Sequence, residues 1–169
     1  GTGKTTLARI IATRTGAHFI TLSAVLHGVK ELRGSLDEAR AMRRRGMRTI
    51  LFIDEIHRFN KAQQDTLLPA VEEGLIVLIG ATTENPHFEV NPPLMSRSTL
   101  FRLHSLDDAD VAELVRRGLE IEGASADDDA IAHLAGRAGG DGRHALTSTE
   151  VAVALASDRG RPIHITLAD

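Results

Sequence analysis

The sequence predicts an α/β protein: a parallel sheet with flanking helices over residues 1–104, then a small all-helical domain over residues 105–169. Three observations predict it. Two short, nearly all-apolar runs, "RTILFID" and "LIVLIGA", have the composition of strands buried on both faces of a parallel sheet. Stretches with helical spacing separate such runs, and alternation of strands with helices implies parallel connections. From Ser105 the strand-like runs stop, until "IHITL" near the end.

The elements follow in order. Thr5 to Thr15 carries Leu7, Ile10 and Ile11 at helical spacing, and Gly16 is a natural stop. "HFITL" reads as a strand, "VKELRGSLDEARAMRRR" as a helix ending at Gly46, and "RTILFID" as a buried strand. "NKAQQDTLLPAVEEG" reads as a helix capped by Asn60, and "LIVLIGA" as a second fully buried strand. "NPPLMSRS" predicts a short helix with Asn91 as cap and prolines at its start, and "LFRL" predicts the last strand of the sheet. Beyond a boundary at His104 and Ser105, Asp107 with Asp110 opens an amphipathic helix, a second helix follows the "DDD" run, and a third follows "GGDG".

Composition narrows the function classes. The chain has 169 residues, 42% apolar and 25% charged, which reads as a globular domain with a full core. No apolar run approaches the roughly 20 residues of a membrane helix. There is no cysteine, which fits a reducing compartment. The net charge is −3, so contact with nucleic acid would need a local basic patch. The only aromatics are phenylalanines, which leaves few platforms for stacked bases. One basic patch exists, Arg43, Arg44, Arg45 and Arg48, but it stands at a helix C-terminus, where cations complement the dipole and are solvated. The histidines form no metal-ligand spacing. His57 reads as a residue that packs or hydrogen-bonds its loop.

Chemistry concentrates in five places. "GTGKTT" is the second half of a G-x-x-x-x-G-K-[ST] phosphate loop. Residues Gly1, Thr2, Gly3, Lys4, Thr5 and Thr6 would cradle phosphates with backbone N–H groups and the positive end of the following helix, Lys4 reaching the β- and γ-phosphates and Thr5 ligating Mg²⁺. "TILFIDE" is an apolar strand ending in two acids, the Walker B arrangement, in which Asp54 holds the hydrated Mg²⁺ and Glu55 polarises the attacking water. In "LIGATTEN", Thr82, Thr83 or Asn85 could sense the γ-phosphate or orient the water; ordinary turn chemistry is the alternative. Arg97 in "LMSRS" precedes the last strand, where a ring-forming ATPase places an arginine finger worth roughly 10³–10⁵ in rate; a surface arginine is the alternative. Arg143 in "GGDGRHAL" stands in the first turn of a helix, where the dipole disfavours a cation unless an anion is near, either a phosphate or the capping Asp141 carboxylate.

Together these residues resemble the AAA+ ATPases. "GTGKTTLARIIA", "TILFIDEIHRFNKAQQD", "LIGATTENPHFEVNPPLMSRS" and "GDGRHAL" more closely resemble the replication-associated recombination ATPases. The resemblance runs over nearly the whole chain, and "DEIHRFNKAQQD" and "GATTENPHFEVN" are its specific parts. It implies a P-loop NTPase core with a helical lid, using ATP and Mg²⁺. It also implies a homo-oligomer that acts on single-stranded or fork-like DNA of low sequence specificity at stalled or damaged forks. A single-stranded DNA-binding protein is an implied partner, a membrane is not, and the implied location is the bacterial cytoplasm, at the nucleoid. By position Lys4 and Thr5 match the Walker A ligands, and Asp54 and Glu55 the Mg²⁺ and catalytic acids. Thr82 matches sensor 1, with Asn85 beside it, Arg97 the trans finger, and Arg143 the sensor 2 arginine. "HALTSTE" departs from the "RALN" type of run usual after sensor 2. The first loop residues, the strand before them and the C-terminal oligomerisation region of the family are expected outside these residues, so the chain as given is expected to bind ATP weakly and to aggregate. Two other readings stay open: a clamp-loader subunit or branch-migration motor, and an interaction module that keeps the fold without turnover.

Overall fold

The computed structural model describes residues 1–157 and 162–167. It divides into two compact units, one of Lys4–Phe101 and the other of Gly1–Gly3 with Arg102–Asp169.

The first unit is a parallel sheet with helices on both faces. Helix α1 (Lys4–Thr15) leads to β1 (His18–Ser23), then α2 (Val29–Arg44) and β2 (Thr49–Asp54). A 3₁₀ turn at Ile56–Arg58 precedes α3 (Lys61–Asp65) and α4 (Leu68–Glu72), followed by β3 (Val77–Gly80), α5 (Pro86–Glu89) and α6 (Pro92–Met95). The strand order is β1-β2-β3, all parallel, with His18 opposite Thr49 and Ile50 opposite Val77. Alternate residues of a strand face opposite ways, and the core divides accordingly. Ile20, Leu22, Leu51 and Ile53 pack with Leu32, Leu36, Leu67 and Leu75. Phe52 and its neighbour Phe19, ring centroids 6.2 Å apart, belong to a cluster with Ala8 of α1 and Ala81. Strand β2 lies in the middle and is buried from Thr49 to Ile53, as its apolar run predicts.

Several expectations are corrected. In α1 the buried positions are Ala8 and Ala12, while Leu7, Ile10 and Ile11 stand 46%, 50% and 39% exposed; close approach of a helix to a sheet selects the small residues. The helix predicted after Asn60 is two, because Thr66 and Leu67 form a turn and Pro69 stands in the first turn of α4. Asn60 does cap α3, accepting from the Gln63 N–H. Strand β3 is not fully buried. It has only β2 beside it among the described residues, and Val77 is 55% exposed. "LFRL" pairs with no strand among the described residues, and Leu100 and Phe101 are exposed.

The second unit packs α7 (Asp108–Ile121), α8 (Asp128–Ala138) and α9 (Gly142–Ser157) around Val111, Val115, Leu119, Ile131 and Ala145. Asp107 caps α7 by accepting from the Asp110 N–H at 2.7 Å. The unit is not all-helical. Strands β4 (Ala124–Ala126) and β5 (Ile163–Ile165) pair in parallel. β5 falls in the predicted "IHITL", whereas β4 is the short, small-residue run "ASA", which carries no strand signal of its own. His164 joins the two strands to the start of α8, with Nδ1 2.8 Å from Ser125 Oγ and Nε2 2.9 Å from Asp127 Oδ1.

Candidate nucleotide-binding and hydrolysis site

The loop "GTGKTT" turns at Gly3, whose φ of 80° lies in the left-handed region open to glycine. Helix α1 begins at once with Lys4 and has no acidic residue in its first turn. The N–H groups of that turn have no intrahelical partners and carry the positive end of the helix dipole. Lys4 and Thr5 are half-buried beside them, as is Thr2, while Gly1 and Thr6 are exposed. Free backbone donors, an ammonium and a hydroxyl at one helix start fit a phosphate group.

Strand β2 carries Asp54 to the C-terminal end of the sheet, in register with Ser23 of β1. The Asp54 side chain is half-buried and has no ion pair or hydrogen bond among the described residues, which fits a metal ligand. At Glu55 the chain leaves the strand abruptly. Its φ of 52° and ψ of 48° are left-handed, and among the described residues no other non-glycine has positive φ. Such a conformation costs an L-residue about 1–2 kcal/mol. The following residue anchors it: the Ile56 N–H donates to the Ala81 carbonyl at 2.9 Å. Gly80 makes room, since a Cβ there would stand 3.0 Å from Ile56 Cδ1.

The exit of β3 meets this turn. Glu55 Oε2 accepts from the Thr83 N–H at 3.3 Å and from Thr83 Oγ1 at 3.1 Å. Thr82 Oγ1 lies 2.9 Å from His57 Nδ1 and accepts from the Glu84 N–H at 3.0 Å. The hydrogen bond of His57 goes to the neighbouring strand exit and not to its own loop, while its Nδ1 stands 3.2 Å from Glu55 Oε2. Asn85 is a helix cap, accepting from the His87 N–H at 3.1 Å, so its side chain is committed to α5. Thr82 and Glu55 are thus brought together, and Asn85 is not. Thr83 and His57 beside Glu55 carry no signal in the sequence other than their place directly after two adjacent strands.

A second polar cluster locks the segments that carry these turns. Gln64, 1% exposed, donates from Nε2 to the Phe59 and Glu89 carbonyls at 2.9 and 3.0 Å and accepts the Asn91 N–H on Oε1 at 2.8 Å. Asn91 holds the N-cap position of α6 as predicted, but its side chain makes no capping bond. Its Nδ2 donates to the Lys61 carbonyl at 3.0 Å and Asp65 Oδ1 at 2.7 Å. Just beyond, Arg97 bonds the Pro93 carbonyl at 3.0 Å and pairs with Glu72 of α4 at 2.7 Å, in a half-exposed position.

In the other unit, Asp141 caps α9, accepting from the His144 N–H at 2.9 Å. The capping carboxylate therefore stands beside Arg143, which is exposed in the first turn of α9.

A sequence profile of the ATPase family associated with various cellular activities (AAA) matches residues 1–105. Replication-associated recombination protein A of Haemophilus influenzae is 44% identical over 99% of this chain and 40% of its own length, and the Escherichia coli K12 protein of that name is 44% identical over 96% and 38%. ATPase WRNIP1 of Dictyostelium discoideum is 47% identical over 90% of this chain and 18% of its own length. The chain therefore spans less than half of these relatives. Among solved structures, the Thermotoga maritima RuvB Holliday junction branch migration motor matches with a TM-score of 0.80 and 29% identity, over 96% of this chain and 54% of that one. The profile covers more than half of the sequence, and the phosphate loop and acid-tipped central strand lie inside it: the chain belongs to the AAA family of ATPases and has its α/β P-loop NTPase fold.

Proposed function

We propose that the chain is the ATPase engine of a homo-oligomer that hydrolyses ATP to ADP and phosphate while acting on DNA during replication and recombination. The observation that carries the reading is Glu55, a carboxylate set at the tip of the central strand in a strained backbone and fixed to the exit of the neighbouring strand. The lid is read as residues 105–169, following a core of residues 1–104.

In this reading Gly1, Thr2, Gly3, Lys4, Thr5 and Thr6 hold the ATP phosphates, and Thr5 and Asp54 hold Mg²⁺. Bound Mg²⁺ would neutralise charge on the phosphate oxygens. Glu55 orients and polarises the attacking water, and the Thr82 hydroxyl faces the γ-phosphate. Arg97 serves the nucleotide of the adjacent subunit. Leaving Glu72 is a small barrier, since a half-exposed pair is worth about 0–1 kcal/mol. Arg143 of the lid serves the nucleotide of its own subunit. The relatives' name, replication-associated recombination protein A, supports DNA as what the engine acts on; fork-like or single-stranded DNA, a single-stranded DNA-binding protein as partner and the bacterial cytoplasm, at the nucleoid, complete the reading on the family resemblance alone. The likeness to RuvB favours a second reading, a branch-migration motor.

The test is turnover in the intact protein, with single-stranded, forked and four-way-junction DNA. Glu55→Gln should bind ATP as before and lose hydrolysis, because an amide keeps the shape but does not polarise water as a carboxylate does. Near-normal turnover by Glu55→Gln would overturn the assignment. Stimulation by junctions alone would favour the motor reading.

A further inference from the structure

We infer that His57 is a positioning residue that couples Glu55 to Thr82 through a single Nδ1–H. The inference deepens the proposed function and rests on Glu55 acting on the water. The His57 side chain is 9% exposed, so solvent competes little for its contacts. Its Nδ1 lies 3.2 Å from Glu55 Oε2 and 2.9 Å from Thr82 Oγ1. A carboxylate has no proton to give, so the hydrogen belongs on Nδ1; the other neutral tautomer would set a ring lone pair against the carboxylate. The one N–H then bonds Thr82 Oγ1 and stands within ion-pair distance of Glu55 Oε2.

Two consequences follow. Glu55 Oε2 accepts from the Thr83 N–H and hydroxyl and lies 3.2 Å from His57 Nδ1, which fixes the plane of the carboxylate and leaves Oε1, without a partner among the described residues, as the oxygen to receive a water. Thr82 Oγ1 accepts from His57 and from the Glu84 N–H, so its own hydroxyl hydrogen is left to donate outward to an anion. The same ring nitrogen thereby sets the polarity of both groups. Displacement of one is felt by the other through a buried contact about two bonds long.

The variants that test this are His57→Ala, His57→Asn and His57→Gln in the intact protein. An asparagine amide nitrogen takes the place of Nδ1, whereas a glutamine amide reaches toward Nε2. Loss of positioning should lower kcat of His57→Ala by about 10- to 100-fold, with KM and the Kd of a fluorescent ATP analogue within about twofold of wild type. His57→Asn should recover most of that loss, and His57→Gln should not. Unchanged kcat in His57→Ala, equal behaviour of the Asn and Gln variants, or a loss that appears in KM and Kd would overturn the inference. Wild-type protein that binds the analogue without turnover would instead overturn the proposed function, and the inference with it.

Discussion

Gln64 offers the sharpest test of what holds the core together. Gln64→Met keeps much of the side-chain shape and removes both the amide donor and the acceptor. Three partners are stripped: the Phe59 and Glu89 carbonyls and the Asn91 N–H. Glu89 is exposed, so water can replace its bond, but Phe59 and Asn91 are 2% and 6% exposed. Each buried group left unpaired costs about 1–3 kcal/mol, and the added apolar burial returns about 1 kcal/mol. The net expectation is a loss of about 1–5 kcal/mol, large against a total stability of about 5–15 kcal/mol. With no Trp or Tyr in the sequence, urea unfolding followed by far-ultraviolet circular dichroism is the assay. For a slope near ~2 kcal/mol per molar, the midpoint should fall by about 0.5–2.5 M with the slope unchanged. A midpoint shift below about 0.3 M would show that the bonds of Gln64 contribute nothing net and that the reasoning fails.

Four further outcomes are expected. The Thr49 hydroxyl is buried and has no hydrogen-bond partner among the described residues, so Thr49→Val should raise stability by about 1 kcal/mol in the same urea assay. Gly140 has φ of +77°, and a Cβ there would stand 2.7 Å from the Leu106 carbonyl oxygen; Gly140→Ala should destabilise by about 2–4 kcal/mol, read as a lower melting temperature. The Gly28 N–H bonded to Glu31 at the start of α2 is the main cause that lowers this carboxyl below its ordinary value of 4.5; its contribution is present above that pH and is lost as the pH falls through the folded value, so the stability difference between wild type and Glu31→Gln should vanish in acid. Arg97→Ala and Lys4→Ala should each abolish turnover alone and partly restore it when co-assembled, whereas no recovery on mixing would place the action of Arg97 within its own subunit.

The fold was legible where a single element carries its own signal. "TILFID" is buried on both faces, and the apolar run says so; Asn60 and Asp107 cap helices because short polar side chains reach their N–H groups. It was illegible where neighbours decide. "LIVLIGA" is as apolar as the run that forms β2, yet among the described residues β3 has a strand on one side only, which leaves Val77 exposed. Leu7, Ile10 and Ile11 keep helical spacing, but the packing distance selected Ala8 and Ala12 for the sheet. In the site, the acids at the strand tip were readable from the run before them. The links from Glu55 to Thr83, and from Gln64 to Asn91, join residues far apart in sequence, and no periodicity reports them.

The left-handed backbone at Glu55 bears on how this position tolerates change. Glycine would relieve the strain, so Glu55→Gly should yield a protein at least as stable, within about 1 kcal/mol, but without the carboxylate. Stability and chemistry make opposite demands on this one residue. A screen that selects only for folding would therefore drift toward glycine here, while one that selects for turnover would retain the acid. Divergence between the two screens at a position buried in neither core cluster would be a direct signature of a residue kept for its reactivity.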